Sequence, residues 1–323
     1  MFGRASAFVA AVLIVSIGNA ESQIAFPTKP VTLVVPYSAG ASTDIVGRML
    51  ASSLSEKWKQ PVVVANRVGA SGSIGINSVI RSEPDGHTLV VFTGPTDLST
   101  EYFSPTGTNT ETDLTPVALV AKTPVVLMVR SGLNVGDFES FVRLARSKPG
   151  DLTFGSQGYG SLAHLAFEQV MSKTNIKMLL VPYKGAADIS NAMIGGFLDA
   201  YIGSFTTART MLEGGHARVL AVVGGGRIPA IPDVPTMAEL GYPGTNWDAW
   251  IGIMAPSKTP PDIVEKISAD IAGALSVEGM HQQISKIGLQ NTTADRSQFQ
   301  SLLVAERAKL AETIKAAGLT PQK

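Results

Sequence analysis

Short apolar runs alternate along this chain with stretches in which apolar residues recur every third or fourth position. Val31 to Val35 is a continuous apolar run, and after the loop Pro36 to Thr43 the residues Ile45, Val46, Met49, Leu50, Leu54 and Trp58 fall on one face of a helix. That spacing buries a helical stripe against a sheet. Val62 to Ala65 and Thr88 to Phe92 predict two more buried strands beside the first. A second series starts near Thr123. It predicts strand Val125 to Val129, helix Asp137 to Arg146, strand Leu152 to Gly155, helix Leu162 to Lys173 and strand Met178 to Val181, then strands at Ala200 to Ile202 and Val219 to Val223. Strands alternating with helices at these lengths predict α/β units with parallel strands.

Gly224 to Pro235, with three successive glycines and then Pro229, Pro232 and Pro235, is loop by composition. It is the expected return to the first series, followed by a strand at Trp250 to Ala255 and two helices, one after Pro260-Pro261 and one from Gln298 to about Ala317. The expected division is residues 26–122 plus 226–323 as one domain and 123–225 as the other. A length of 323 residues agrees, since one hydrophobic core stops growing near that size.

With 45% hydrophobic and 16% charged residues the chain is globular. Twenty-six basic and twenty-six acidic residues balance to zero, which argues against a nucleic-acid partner, because such binding needs a basic surface. Arg4, an apolar run from Ala7 to Ile17 and the small residues Gly18 and Ala20 predict a secretory signal over residues 1–20 and a periplasmic protein. There is no cysteine, so thiol catalysis and cysteine-held metals are excluded.

Ligands of open α/β sheets sit beyond the carboxyl ends of strands, where helix N-termini offer free N–H groups. Four such loops are candidates. The first is Tyr37, Ser38, Ala39, Gly40, Ala41, Ser42, Thr43 and Asp44, whose small residues let backbone approach a carboxylate. The plainer alternative is that Ser42 or Thr43 only caps the helix. The second is Ser156, Gln157, Gly158, Tyr159, Gly160 and Ser161, leading to a helix that bears His164. The third is Thr93, Gly94 and Thr96, and the fourth Gly203, Ser204 and Phe205, with Lys184 as a nearby cation.

Gly158, Gly160 and Ala163 fit a dinucleotide fingerprint, but the following strand runs into Pro182-Tyr183-Lys184 rather than an acidic residue for a ribose, so no cofactor is expected. The four histidines lack metal-ligand spacing, and no metal is expected. Ser161 and His164 lie close on one helix start, which leaves an exported serine hydrolase as an alternative, although no third residue orients the pair.

Several separated stretches resemble one family, the tripartite tricarboxylate transporter substrate-binding proteins, or Bug receptors. They are Lys29 to Gly40 (KPVTLVVPYSAG), Gln60 to Arg67, Pro84 to Leu89, Thr115 to Val120, Val181 to Gly185 and Ile231 to Thr236. The resemblance implies a two-domain α/β fold of the periplasmic-binding-protein kind, with a ligand cleft between the domains. It implies a monomeric receptor rather than an enzyme, which closes on a small organic carboxylate and passes it to membrane permease subunits. A partnership with a membrane sensor fits the same residues. In that family the loops corresponding to Tyr37 to Asp44 and Ser156 to Ser161 hold the carboxylate through main-chain N–H groups and waters. This chain departs from the pattern at Ala41, where a second glycine is usual, and at Gly203-Ser204, where many members carry Asp-Asn. Loss of that acid disfavours an ammonium-bearing ligand and is expected to leave room for a bulkier acid, such as terephthalate, against Phe205 or Tyr159.

Overall fold

A computed structural model describes residues 25–103, 109–292 and 294–320, and the expected signal at 1–20 lies outside them. In chain order the elements are β1 Val31–Val35, α1 Ser42–Trp58, β2 Val62–Asn66, α2 Ser73–Ile80, β3 Thr88–Gly94, α3 Thr96–Phe103, α4 Thr110–Asp113, β4 Leu114–Thr123 and β5 Val125–Arg130. There follow α5 Phe138–Ser147, β6 Thr153–Ser156, α6 Leu162–Thr174, β7 Leu179–Pro182, α7 Ala186–Ile194, β8 Ala200–Ser204, α8 Phe205–Glu213 and β9 Ala217–Val222. The chain closes with β10 Ala249–Pro256, α9 Pro261–Leu275, α10 Glu278–Lys286, β11 Gln290–Asn291 and α11 Arg296–Ala316.

These strands form two sheets, ordered β11-β4-β10-β3-β1-β2 and β7-β6-β8-β5-β9. Both are mixed, which corrects the expectation of parallel strands. β10 runs antiparallel to β3 and β4, and β5 runs antiparallel to β8 and β9. The reason is connectivity: β4 leads straight into β5 and β10 is the returning strand, so each enters a sheet against its parallel neighbours.

Period-two alternation explains why β1 is apolar throughout. Val31, Leu33 and Val35 pack with Val46, Leu50 and Leu54 of α1 and with Ile267 and Ile271 of α9. Val34 joins Ile76, Phe92 and Trp250 on the opposite face. Each fully buried aliphatic side chain here contributes roughly 1.5–3 kcal/mol.

The return to the first sheet comes later than residue 226. Val222 N–H donates to Pro235 O (2.8 Å) and Met237 N–H to Val222 O (3.0 Å), while Ile228, Ile231 and Val234 pack on the second sheet. Only after Trp247, whose N–H donates to Val223 O (2.8 Å), does the chain enter β10. Trp247 itself is buried, with Nε1 donating to Gln169 Oε1 of α6 (2.8 Å) and Lys309 Nζ of α11 lying 4.6 Å from its ring. Leu303, Leu310 and Ile314 of α11 share one apolar cluster with Leu165 and Val170 of α6, so the last helix joins both halves. No helix among the described residues is long and apolar enough to cross a membrane.

Candidate functional site

The loops after β1, β2 and β3 face those after β6, β7 and β8 across a cleft of about 600 Å³, with Val125 and Ala249, from the two crossing segments, in its lining. A larger groove, about 850 Å³, lies between α9 and α11 on the first sheet. Its charged groups are engaged locally: Arg296 pairs with Glu265, and Asp295 caps α11. The cleft differs in having helix starts aimed at it without caps.

On the first wall, the residue before α1 is Ala41 (φ −67°), and no side chain caps the helix. The alternative that Ser42 or Thr43 serves as a cap is therefore not realised. Ala41 sits at an ordinary negative φ, so the missing second glycine costs the loop nothing, whereas Gly40 (φ +84°) does need glycine. Gly40 N–H donates to Asp44 Oδ2 (2.9 Å). The same carboxylate accepts from Arg48 Nε (3.0 Å) and Asn66 Nδ2 (2.9 Å). Arg48 holds the Asp44 carboxyl down to about 2. Asp44 thus braces the loop from behind.

Tyr37 Oη donates to Asp97 Oδ1 (2.5 Å), and Thr93 N–H donates to Asp97 Oδ2 (2.6 Å). Burial pushes Asp97 up to about 7 and raises Tyr37 well above the usual phenol range. The Tyr37 proton is committed to Asp97 and stiffens the wall. Thr43 is buried, and its hydroxyl has no hydrogen-bond partner among the described residues.

On the second wall, two left-handed glycines shape the loop: Gly158 (φ +114°), whose N–H donates to Ser156 Oγ (3.2 Å), and Gly160 (φ +81°). Gly160 N–H donates to His164 Nδ1 (3.0 Å), and a Cβ at Gly160 would lie 2.1 Å from the Phe103 ring. His164 is 1% exposed, under Tyr159 (4.6 Å between ring centroids), with Nε2 3.4 Å from Glu168. Ser99 Oγ of α3 donates across to Gly160 O (2.6 Å), and Phe103 meets Tyr159 edge-on at 5.1 Å, so the walls touch at one end of the cleft.

Ser161 precedes α6 without capping it, and its buried hydroxyl has no partner among the described residues. His164 Nδ1 is taken by a main-chain N–H and does not reach Ser161, so the hydrolase pair is not assembled. α7 likewise starts uncapped at Gly185. Lys184 is exposed and is the one charged side chain that lines the cleft among the described residues. By contrast, Ser204 Oγ accepts from Thr207 N–H (3.3 Å) and caps α8.

Of the residues singled out from sequence, Tyr37, Ser38, Ala41, Ser42, Thr43, Thr93, Thr96, Gln157, Tyr159, Gly160, Ser161, Lys184, Gly203 and Ser204 line the cleft. Ala39, Gly40, Asp44, Gly94, Ser156, Gly158, His164 and Phe205 do not. Gly94 is packed under Trp250, to which a Cβ would come within 2.0 Å. Phe205 is buried in the second sheet's core and offers no ring to a ligand. Nor is the space near Gly203 open: a Cβ there would lie 2.1 Å from the Tyr201 ring, which fills it. Lining residues not foreseen include Val68, Gly69 and Gly72 after β2, Ser99 and Phe103 of α3, and Tyr201. The loop after β2 obeys the same strand-end rule as the others and was within reach of it.

Residues 46–319 match the family described as the tripartite tricarboxylate transporter family receptor, TctC. A Pseudomonas protein encoded in the tcbD-tcbE intergenic region is 32% identical over 89% of this chain and 86% of its own length. BugT of Bordetella pertussis is 30% identical over 91% of this chain and 90% of its own. Among solved structures, Rpa4515 of Rhodopseudomonas palustris, determined with adipate, superposes with a TM-score of 0.82 at 32% identity, covering 92% of this chain and all of that one. MatC of the same organism, determined with malate, gives 0.77 at 28% identity over 90% of this chain and all of its own. Matched along nearly its whole described length, the chain belongs to the tripartite tricarboxylate transporter receptor family.

Proposed function

We propose that this protein is a periplasmic receptor that captures a small organic dicarboxylate or tricarboxylate between its two sheets by hinge closure and delivers it to a tripartite membrane transporter. The observation that carries this is the pair of uncapped helix starts, α1 and α6, on opposite walls, accompanied by the unpartnered buried hydroxyls of Thr43 and Ser161. Free N–H groups at a helix start, aided by the dipole, are an anion site. A carboxylate contacted by both walls favours the closed state by its differential affinity.

Among the described residues Lys184 is the cleft's one positive side chain and no acidic side chain lines it, so a ligand ammonium finds no counter-charge there. Aromatic diacids such as terephthalate fall within this class. The two domains are taken as residues 25–122 with 248–320, and 123–247. Isothermal titration of the protein with adipate, malate, citrate, terephthalate and aspartate tests the reading. Binding of at least one diacid or triacid is expected, with a rise in melting temperature by mass action. Binding of aspartate alone rejects the class, and binding of none rejects the function.

A further inference from the structure

The second wall carries a polar pair that neither the anion site nor the hinge uses. Tyr201 projects from β8, is 2% exposed and contributes to the cleft lining. Its Oη accepts a hydrogen bond from Gln157 Nε2 at 2.6 Å. A phenol whose oxygen already accepts has its proton left to give, and the amide polarises that proton. Among the described residues it has no acceptor within the protein. Burial holds the phenol protonated, up to about 12.

The ring's position depends on Gly203. Residues 201 and 203 project from the same face of β8, and any Cβ at 203 would stand 2.1 Å from Tyr201 Cε1 and 2.7 Å from its Oη. Tyr201 and Gly203 therefore act as one unit, the glycine opening the space that the ring fills. The strand carries no side chain at 203 and fills that space with a donor delivered from 201.

We infer that Tyr201 is a specificity-determining residue that recognises a second oxygen acceptor on the ligand, remote from the carboxylate held at the helix starts, and that Gln157 positions it. This rests on the carboxylate reading above and deepens it by assigning to Tyr201 the second acceptor group of such an acid, the group that a simple monoacid lacks.

The test is the affinity ratio between matched pairs, adipate against hexanoate and terephthalate against benzoate, measured by titration calorimetry on the wild type, Tyr201→Phe and Gln157→Leu. The wild type should prefer one of the diacids over its monoacid partner. Tyr201→Phe, which keeps the ring, should lower that ratio about ten-fold or more, the loss expected for one hydrogen bond to a charged acceptor. Gln157→Leu should lower it by less, and serves as the second probe if Tyr201→Phe fails to fold. An unchanged ratio, or an equal fall for both members of a pair, overturns the inference while leaving the carboxylate reading standing. A folded wild type that binds none of the four acids overturns the inference, and one that also binds neither malate nor citrate overturns the carboxylate reading as well.

Discussion

The two walls of the cleft follow one plan, a strand ending in a small-residue loop that enters an uncapped helix, yet they are fastened by different chemistry. The first is held by carboxylates: Asp44 ties Gly40 to Arg48 and Asn66, and Asp97 ties Tyr37 to Thr93. The second is held by groups that carry no negative charge, His164 on Gly160 and Gln157 on Tyr201, with Lys184 at its rim. The contrast shows how a cleft for anions can still use acids. Asp44 and Asp97 lie outside the lining, with their lone pairs taken up by donors of their own wall, and do not face the space an anion would occupy.

The contrast can be broken at several points. His164→Ala removes a buried ring that lies tilted beneath Tyr159 and stacks on Phe154, together with the acceptor for Gly160 N–H, and should cost about 3 kcal/mol of stability in denaturant unfolding. Ligand affinity should fall with it. Gly203→Ala should cost about 2 kcal/mol by driving a methyl into the Tyr201 ring. Combining it with Tyr201→Ala should recover part of that loss, which a double-mutant cycle would read as coupling.

The carboxylate wall should also titrate. Asp97 has a folded value raised to about 7, above its unfolded value near 4, so the folded state holds the proton more tightly. Stability should therefore fall as pH rises from about 4 to about 7, and Asp97→Asn should flatten that slope in melting-temperature scans. Asp44 has the opposite sign: its contribution is present above about 4 and is lost as pH falls through about 2. The smallest effect is expected of Ala41→Gly. With φ already negative, glycine there adds only unfolded-state freedom, lowering stability by under about 1 kcal/mol and leaving affinity within two-fold.

Much of this arrangement was legible in the residues. The long strands and helices follow from period-two and helical spacing, and α5 begins at the capping Asp137, whereas α11 starts at the Asp295 cap, ahead of the expected Gln298. The loops that form the cleft follow from the strand-end rule. What escaped was set by tertiary partners. β4 contains Pro116 and is a strand because β10 pairs along it, and α2, α3, α7, α8 and α10 are each under ten residues, too short for periodicity to mark. The direction of β5 and β10 depends on where the chain crosses, and the apolar residues of 228–237 do not announce which sheet they cover. The role of Gly203 was misjudged for a related reason. A glycine in a sequence reads as space, while here it is the seat of a ring two residues away.

The place of β10 in the first sheet has a consequence for synthesis. It lies between β3 and β4, so the middle of that sheet waits for residues 249–256, more than 120 positions after its neighbours have been made. The second sheet is drawn from one continuous stretch, residues 125–222, and can assemble first. Until the returning strand arrives, β3 and β4 each have an unpaired edge, the kind of surface on which strands from other chains add. A nascent chain stalled before residue 249 would thus be half built and prone to aggregate. The last 75 residues, which supply the central strand and the helix that joins both halves, decide when this molecule becomes a closed unit.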